Sequence, residues 1–116
     1  MTPAAAPSRA DAGRAVAHLE GISPEIRGCG ILDGRGEVLA ATGSDPRRWG
    51  AATRKLVAAA DAAGAEPASH VHIASGDGEV FCVRDRGLTA VAVAERFVLS
   101  SLVFADLRAA LRGLAG

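Results

Sequence analysis

Few residues of this chain have types and spacings that suggest chemistry. His70 and His72 form an H-x-H pair on a predicted strand, where the two-residue period places both imidazoles on one face, as a zinc site requires. The remaining histidine, His18, lies on a predicted helix, and no cysteine or carboxylate is spaced as an obvious third ligand. We therefore predict no metal site and expect the pair to face a half-polar surface or a subunit contact.

The two cysteines, Cys29 and Cys82, lie far apart on different predicted strands. They lack the short spacing of zinc sites and redox-active pairs, so both are predicted to be buried free thiols. Ser100 and Ser101 have no neighbouring base and form no nucleophile motif. The sequence thus predicts no catalytic residue, and an enzyme that uses either cysteine is the least favoured interpretation.

A cluster of glycines resembles a phosphate-binding loop only superficially. A dinucleotide-binding fingerprint runs from a strand through a Gly-rich turn into a helix, whereas here the turn leads into a second strand. Glycine within the first strand indicates instead the close approach of another backbone or helix. No cofactor is predicted for these positions, which are Gly28, Gly30, Gly34 and Gly36.

Composition narrows the classes of function. The chain has 116 residues, a length that suits one domain, and we assign residues 8–116 to it and residues 1–7 to a disordered tail. Thirteen basic and thirteen acidic residues give zero net charge, which removes the electrostatic case for binding nucleic acid or acidic lipid. No segment has the apolar length of a signal peptide or a membrane span, so a cytoplasmic location is expected.

The elements that position these residues are organised around one β-hairpin, Arg27 to Thr42. Alternating residues predict two strands, and the Asp-Gly pair in the segment Asp33 to Gly36 favours a tight reversal between them. Before the hairpin, Ser8 is predicted to cap a helix that docks on the sheet and ends at Gly21 and Pro24.

A second helix is predicted from Pro46 to about Gly64, with Asp45 as its cap. On a helical wheel it has one apolar arc, predicted to be buried, formed by Trp49, Ala52, Leu56, Val57, Ala60 and Ala63. The opposite arc is basic. It is either an ordinary solvated face or a surface that docks an acidic partner, and it comprises Arg47, Arg48, Arg54 and Lys55.

Three further strands are predicted at Ala68 to Ser75, Glu79 to Asp85 and Leu88 to Glu95, joined by Gly- and Asp-containing turns into a meander. A last helix, from about Val98 to Leu114, covers the sheet with an apolar arc that includes Leu99 and Leu107. The predicted fold is α+β, in the order α-β-β-α-β-β-β-α.

The succession EGI…IRGCGILDGRGEVLAATG, an amphipathic helix, HVHIASGDGEVFCVRDRGLTAVAVAE and a Leu-rich helix resembles the Roadblock family of dynein light chains and their bacterial relatives. The resemblance extends from Ala15 to Leu114. It implies a five-stranded antiparallel sheet in a profilin-like sandwich, with the second helix on one face and the terminal helices on the other. It also implies a non-enzymatic homodimer that serves Ras-like small GTPases or signalling complexes.

In such dimers the third-strand edge and the second helix pair with their symmetry mates. The residues themselves support this, because no Lys, Asp or Pro protects the middle of the strand from Ala68 to Ser75 against pairing. The candidate dimer interface comprises Trp49, Leu56, His70, His72 and Ala74. Changing Ala74 to Pro is expected to break mid-edge pairing, whereas replacing Val71 or Ile73 is expected to damage the core as well.

Two other hypotheses stand beside the GTPase-binding dimer. The first is a small-ligand sensor, since other profilin-like domains cradle ligands on their sheets. The second is the cysteine-dependent enzyme described above. With three Phe, one Trp and no Tyr, the chain has few aromatic side chains to line a ligand cavity, so the non-enzymatic adaptor is preferred.

Overall fold

The computed structural model describes residues 7–115, and within them the predicted fold class and element order are confirmed. Of the predicted tail, residues 1–6 lie outside the described part of the chain. In the described range no helix has the length and apolar character to cross a membrane. The elements are α1 (Arg9–Ile22), β1 (Ile26–Leu32), β2 (Val38–Ala41), α2 (Pro46–Ala63), β3 (His70–Ala74), β4 (Glu79–Asp85), β5 (Leu88–Ala94) and α3 (Ser100–Ala115).

The five strands form one antiparallel sheet in the order β2-β1-β5-β4-β3. The predicted β1–β2 hairpin and the β3-β4-β5 meander are both present, and they join where β1 pairs with β5. The two edges are therefore β2 and β3. Because α2 connects these two strands, it carries the chain from one edge of the sheet to the other.

The hairpin turn is held by the Asp33 carboxylate, which accepts hydrogen bonds from the N–H groups of Arg35 and Glu37 at 2.9 and 3.0 Å. This is the local bonding by which Asp favours turns. The positive φ of the turn, 81°, falls at Gly36 and not at Gly34 of the Asp-Gly pair.

The main core lies between the sheet and the terminal helices α1 and α3. Residues on alternate positions of β1, β4 and β5 point to this face, and α2 lies on the opposite face. Ser8 caps α1 as predicted, accepting from the Asp11 N–H at 3.0 Å. Both terminal helices contribute fully buried side chains, including Ala12 and Leu19 of α1 and Leu107 and Leu111 of α3.

The predicted ends of the helices agree with the structure only in part. The first helix ends at Ile22, between Gly21 and Pro24 as predicted, and the Ser23 N–H donates to the Leu19 carbonyl. Asp45 precedes α2 but makes no side-chain capping bond within the described chain: its ψ is 77°, far from the 159° of the capping Ser8.

The start of α3 is later than predicted. Phe97 has a φ of 62°, which interrupts a helical path, so the helix begins at Ser100 and not at Val98. Leu99 therefore precedes the helix and accepts its first backbone bonds, from Leu102 and Val103. Its side chain is 68% exposed and does not join the predicted buried arc.

The prediction that one arc of α2 is buried is largely wrong. Within Pro46–Ala63 the buried residues are Gly50 and Thr53, whereas Ala52 and Ala63 are exposed. The larger members of the arc, Trp49, Leu56, Val57 and Ala60, are half-buried. The reason is that α2 packs mainly over β1 and β2, so it leaves the other side of the sheet incompletely covered.

Candidate functional site

The β3 strand has one side of its backbone open. Its neighbour β4 is bonded on the other side, where the Ser75 N–H donates to the Gly78 carbonyl at 2.9 Å. Bonded and non-bonded pairs alternate along an antiparallel ladder. In the register of β3 with β4, the backbone groups that point away from β4 are therefore those of His70, His72 and Ala74.

An apolar groove, which we call the α2 groove, lies beside this edge between α2 and the sheet. Its volume is about 470 Å³. The helix contributes one wall, and β3, β4 and β5 contribute the other. Its lining residues are Arg48, Trp49, Ala52, Thr53, Leu56, Ile73, Val80, Val91 and Val93.

The position of Trp49 explains why the groove is open. Its indole N–H donates to the Thr42 carbonyl at 3.0 Å, and its ring lies so close to β1 that a Cβ on Gly28 would be 2.9 Å from it. Gly28 is thus the close approach predicted for glycine in the first strand. These contacts of Trp49 hold α2 close to β1 and β2. Because the helix is held there, the valines of β4 and β5 form the floor of the groove.

Two β3 residues expected to contribute to the core lie outside it, and one of them, Ile73, lines the α2 groove. Ile73 is 45% exposed and Val71 is half-buried, so the expectation that both are core residues is wrong. Strand alternation signals that both share one face, but only the placement of α2 shows that this face is uncovered. Ile73 was expected to serve the core as well as the interface, and its exposure makes it a sharper probe of the interface than the sequence indicated.

The predicted interface residues occupy two faces of the sheet. Trp49 and Leu56 line the α2 groove, whereas the side chains of His70 and His72 lie on the opposite face, against α3. Ala74 was expected in the middle of the strand, but it is the last residue of β3. The five residues therefore meet only around the β3 edge.

The histidine pair shares one face as predicted and has partners within the chain. His72 stacks on Phe81 with ring centroids 4.4 Å apart, and its Nε2 lies 2.7 Å from Oε1 of Glu79. His70 makes an edge contact with Phe104 at 5.2 Å. Within residues 7–115 no group of three or more His, Cys, Asp or Glu side chains could hold a metal ion.

Glu79 is nearly buried, with 8% of its surface exposed, and it links β3, β4 and the segment before α3. Its Oε2 accepts from the Val98 N–H at 3.2 Å. The hydrogen bond to His72 is the main reason that the pKa of Glu79 falls below its ordinary value of 4.5, and the Val98 N–H acts in the same direction against desolvation.

This pKa shift predicts an acid dependence of stability. Because the folded pKa is lowered, the stabilisation from ionised Glu79 is complete above the unfolded pKa and is lost as pH falls through the folded pKa. Glu79→Gln should therefore destabilise the protein near neutral pH, and the difference from wild type should shrink below about pH 4.5. Urea unfolding measured across this range checks the prediction, with Glu66→Gln in an exposed loop as the control. A pH-independent difference would contradict it.

Both cysteines are free and buried in the described structure, as predicted. Burial raises the pKa of each thiol to about 11, so little nucleophilic thiolate is present at neutral pH. The register of β1, β5 and β4 places the two residues on opposite faces of the sheet, because Cys29 pairs with Ala92 and Cys82 pairs with Val91. This arrangement does not suit a redox pair.

The predicted basic face of α2 is divided in the structure. All four residues are exposed, but Arg48 lines the α2 groove, and Arg54 donates through Nη1 to the Gly36 carbonyl at 2.6 Å. Arg47 and Arg54 line a second groove near β2, which Lys55 does not border in the described structure. The four residues therefore do not form one surface.

An ion pair that sequence reasoning missed fixes the end of α2. The Asp61 carboxylate accepts from Arg84 at 2.6 and 3.2 Å and from the Ala68 N–H at 2.8 Å. The Ala68 N–H and then Arg84 lower the pKa of Asp61. These residues lie in separate elements, and no local spacing links them.

Solved structures with Roadblock domains resemble this fold. The Roadblock/LC7 domain from Streptomyces avermitilis matches with a TM-score of 0.76 at 15% identity, covering 87% of this chain and 92% of that domain. MglB from Myxococcus xanthus matches with a TM-score of 0.75 at 14% identity, covering 92% and 86%. An MglB with a tetrameric arrangement matches with a TM-score of 0.73 at 19% identity, covering 99% and 95%.

No family model matches the sequence, and no curated protein is significantly similar to it. At identities of 14–19%, the structural likeness establishes the fold. The resemblance seen in the sequence is therefore confirmed at that level: the chain has the fold of the Roadblock/LC7 domain proteins.

Proposed function

We propose that this protein is a homodimeric, non-enzymatic adaptor or regulator whose two copies join through the β3 edge and the α2 groove. The observation that carries this proposal is the juxtaposition of an open strand edge with an apolar groove on the same side of the molecule. An unprotected edge favours pairing with another strand, and exposed apolar surface favours burial. The tetrameric arrangement of one MglB supports self-association as a property of this fold.

Each group of candidate residues has a distinct part in the proposed dimer. The outward backbone groups of His70, His72 and Ala74 pair with a partner strand, while Trp49 and Leu56 contribute apolar contacts from α2. A specific interface buries on the order of 1,600 Å² in total. Apolar burial contributes about 25 cal/mol per Å², and its surplus over the costs of association would drive the proposed dimerisation.

Ala74→Pro tests the edge pairing directly. The Ala74 N–H points away from β4, so proline removes a donor to the partner strand without removing a bond to β4. We expect the variant to dissociate at least about ten-fold more readily, as the loss of pairing at the strand end implies. Analytical ultracentrifugation at micromolar concentrations measures this.

Ala74→Thr is the matched control, because it keeps the N–H and favours a strand. It should remain as dimeric as the wild type. A monomeric wild type, or a proline variant that is as dimeric as the threonine variant, would refute the edge-paired arrangement.

We propose that the partner of the dimer is a Ras-like small GTPase, the class of partner that the Roadblock resemblance implies. Pull-down with the products of neighbouring genes tests binding, and single-turnover GTP hydrolysis with and without the dimer tests whether the partner is stimulated. Binding that requires the wild-type dimer and fails with the proline variant supports the proposal. Failure of every GTPase among the neighbouring gene products to bind would remove this part of it.

A small-ligand sensor is the second candidate, because the volume and apolar lining of the α2 groove fall within the range of ligand pockets. It is less favoured because the groove has few polar groups, Arg48 and Thr53, to orient a ligand. A thermal-shift screen against a metabolite library distinguishes the candidates. A flat screen together with a stable dimer would reject the sensor.

A further inference from the structure

A second groove lies at the opposite edge of the sheet, and arginines dominate its lining. We call it the arginine groove. It has a volume of about 880 Å³ and runs along β2 between α1, the hairpin turn and the first turns of α2. Its arginines are Arg9 from the start of α1, Arg35 from the hairpin turn, and Arg47 and Arg54 from α2.

The charge of this groove is unlike that of the whole protein. Acidic and basic residues balance at thirteen each in the chain, yet four guanidinium groups line the groove and Glu37 is the only carboxylate among its described lining residues. The ion pairs of the described chain engage other arginines, namely Arg14, Arg27, Arg84 and Arg112. The positive charge of the groove is therefore concentrated and not neutralised by an ion pair within residues 7–115.

Two of the four arginines are held in place by backbone carbonyls. The Nη1 of Arg9 donates to Val38 at 2.8 Å, and the Nη1 of Arg54 donates to Gly36 at 2.6 Å. A guanidinium has five N–H donors in a rigid fork, so one anchoring bond fixes its position and leaves donor capacity for a ligand.

Glycines make room for Arg54. A Cβ on Gly36 would lie 3.0 Å from the Arg54 Cδ, and a Cβ on Gly50 would lie 3.0 Å from its Nη1. A side chain at either position would force the Arg54 side chain to shift by a few tenths of an ångström. The two glycines therefore leave the space that Arg54 occupies beside the hairpin turn.

We infer that the arginine groove binds an acidic peptide segment of a partner protein. Its four cationic groups come from three elements and are spread along an open groove, which fits carboxylates distributed along an extended chain better than one compact anion. Arginine forks match carboxylate geometry in a bidentate manner. Charge complementarity is thus the argument for this occupant.

This surface is separate from the proposed dimer interface. The arginine groove and the α2 groove share no lining residue within the described chain, although both use α2. They lie toward opposite edges of the sheet. The acidic segment can therefore bind a monomer or a dimer, and the test of this site does not depend on the oligomeric state.

Fluorescence anisotropy with a labelled polyglutamate peptide tests the inference, at an ionic strength on the order of 0.05 M so that screening is weak. The wild type should bind the peptide, and Arg35→Glu or Arg47→Glu should each weaken binding by about ten-fold, since each exchanges a charge-assisted bond for repulsion. Both positions are exposed, and a glutamate at position 47 lies in the first turn of α2, where negative charge is favourable. These variants should remain folded.

Lys55→Glu is the matched control, because it makes the same charge change on an exposed position of α2 outside the described lining of either groove. It should change peptide affinity by less than about two-fold, as expected for a distant, screened charge. An equal loss in this variant, or no binding by the wild type, would overturn the inference.

Competition experiments separate the classes of ligand. Inorganic phosphate should displace the peptide only weakly, and a peptide with serine in place of glutamate should not bind. Single-stranded DNA or phosphatidylserine vesicles that bind more tightly than polyglutamate at the same ionic strength would reject a peptide in favour of that polyanion. Loss of dimerisation through Ala74→Pro should leave peptide affinity unchanged.

Discussion

Ile73→Glu is expected to convert the protein from a dimer to a monomer. Ile73 is 45% exposed on the wall of the α2 groove, next to the β3 edge. Burial of this surface in a dimer contributes roughly 1 kcal/mol per copy, and placing a carboxylate in the same apolar contact costs a few kcal/mol more. Because a two-fold interface contains the change twice, the dimer dissociation constant should rise by about a thousand-fold or more.

Sedimentation equilibrium over a range of protein concentrations measures this change. Ile22→Glu is a closely matched control: Ile22 is 48% exposed, but it ends α1 on the other face of the sheet. That variant should remain a dimer. Circular dichroism should show that both variants keep the wild-type fold, since neither side chain is buried in the core. A dimeric Ile73→Glu protein, or equal dissociation of the two variants, would contradict the proposed interface.

Leu107→Ala is expected to cause a large loss of folding stability. Leu107 is fully buried between α3 and the sheet, so its truncation removes apolar contacts and leaves a cavity. Such changes cost about 2–5 kcal/mol. For a domain of this size the melting temperature should fall by roughly 10 °C or more. Chemical and thermal denaturation at one fixed protein concentration measure the loss, because the proposed dimerisation would make stability concentration-dependent.

Leu102→Ala provides the control on the same helix. Leu102 is 55% exposed, so the same truncation removes less buried surface and leaves no enclosed cavity. It should cost less than about 1 kcal/mol. Equal losses at the two positions would contradict the burial of Leu107 and the exposure of Leu102, because alanine is at least as good a helix former as leucine.

Local features of the fold were predictable where residues act on near neighbours. The Ser8 cap and the Asp33 turn each depend on a short-range rule, and each is present. Glycine in the first strand indicated a close approach there, but not that Trp49 makes it. The strand pattern also predicted the meander and the shared face of His70 and His72.

The prediction of a buried arc on α2 was largely wrong because amphipathicity shows which side of a helix is apolar but not where the helix lies on its sheet. Placement of α2 depends on Trp49, whose partners Thr42 and Gly28 lie in other elements. The exposed position of Ile73 follows from this placement. The local periodicity of β3 does not contain that information.

The basic residues illustrate the same limit. Arg47 and Arg54 appeared on one arc of α2, but Arg9 and Arg35 join them only after α1, the hairpin and α2 assemble. The pairing of Asp61 with Arg84 likewise joins residues twenty-three positions apart. Sites built from separate elements require the fold before they can be recognised.

The strand order has a consequence for avidity. Pairing the β3 edges of two copies makes a continuous sheet with five strands from each copy, and the two β2 strands become its outer edges. At about 4.8 Å per strand, these edges lie roughly 40 Å apart. A partner chain with two acidic segments would need more than about 12 extended residues between them to reach both arginine grooves. With such a spacer, the second contact becomes intramolecular and gains an effective concentration that a monomer cannot provide.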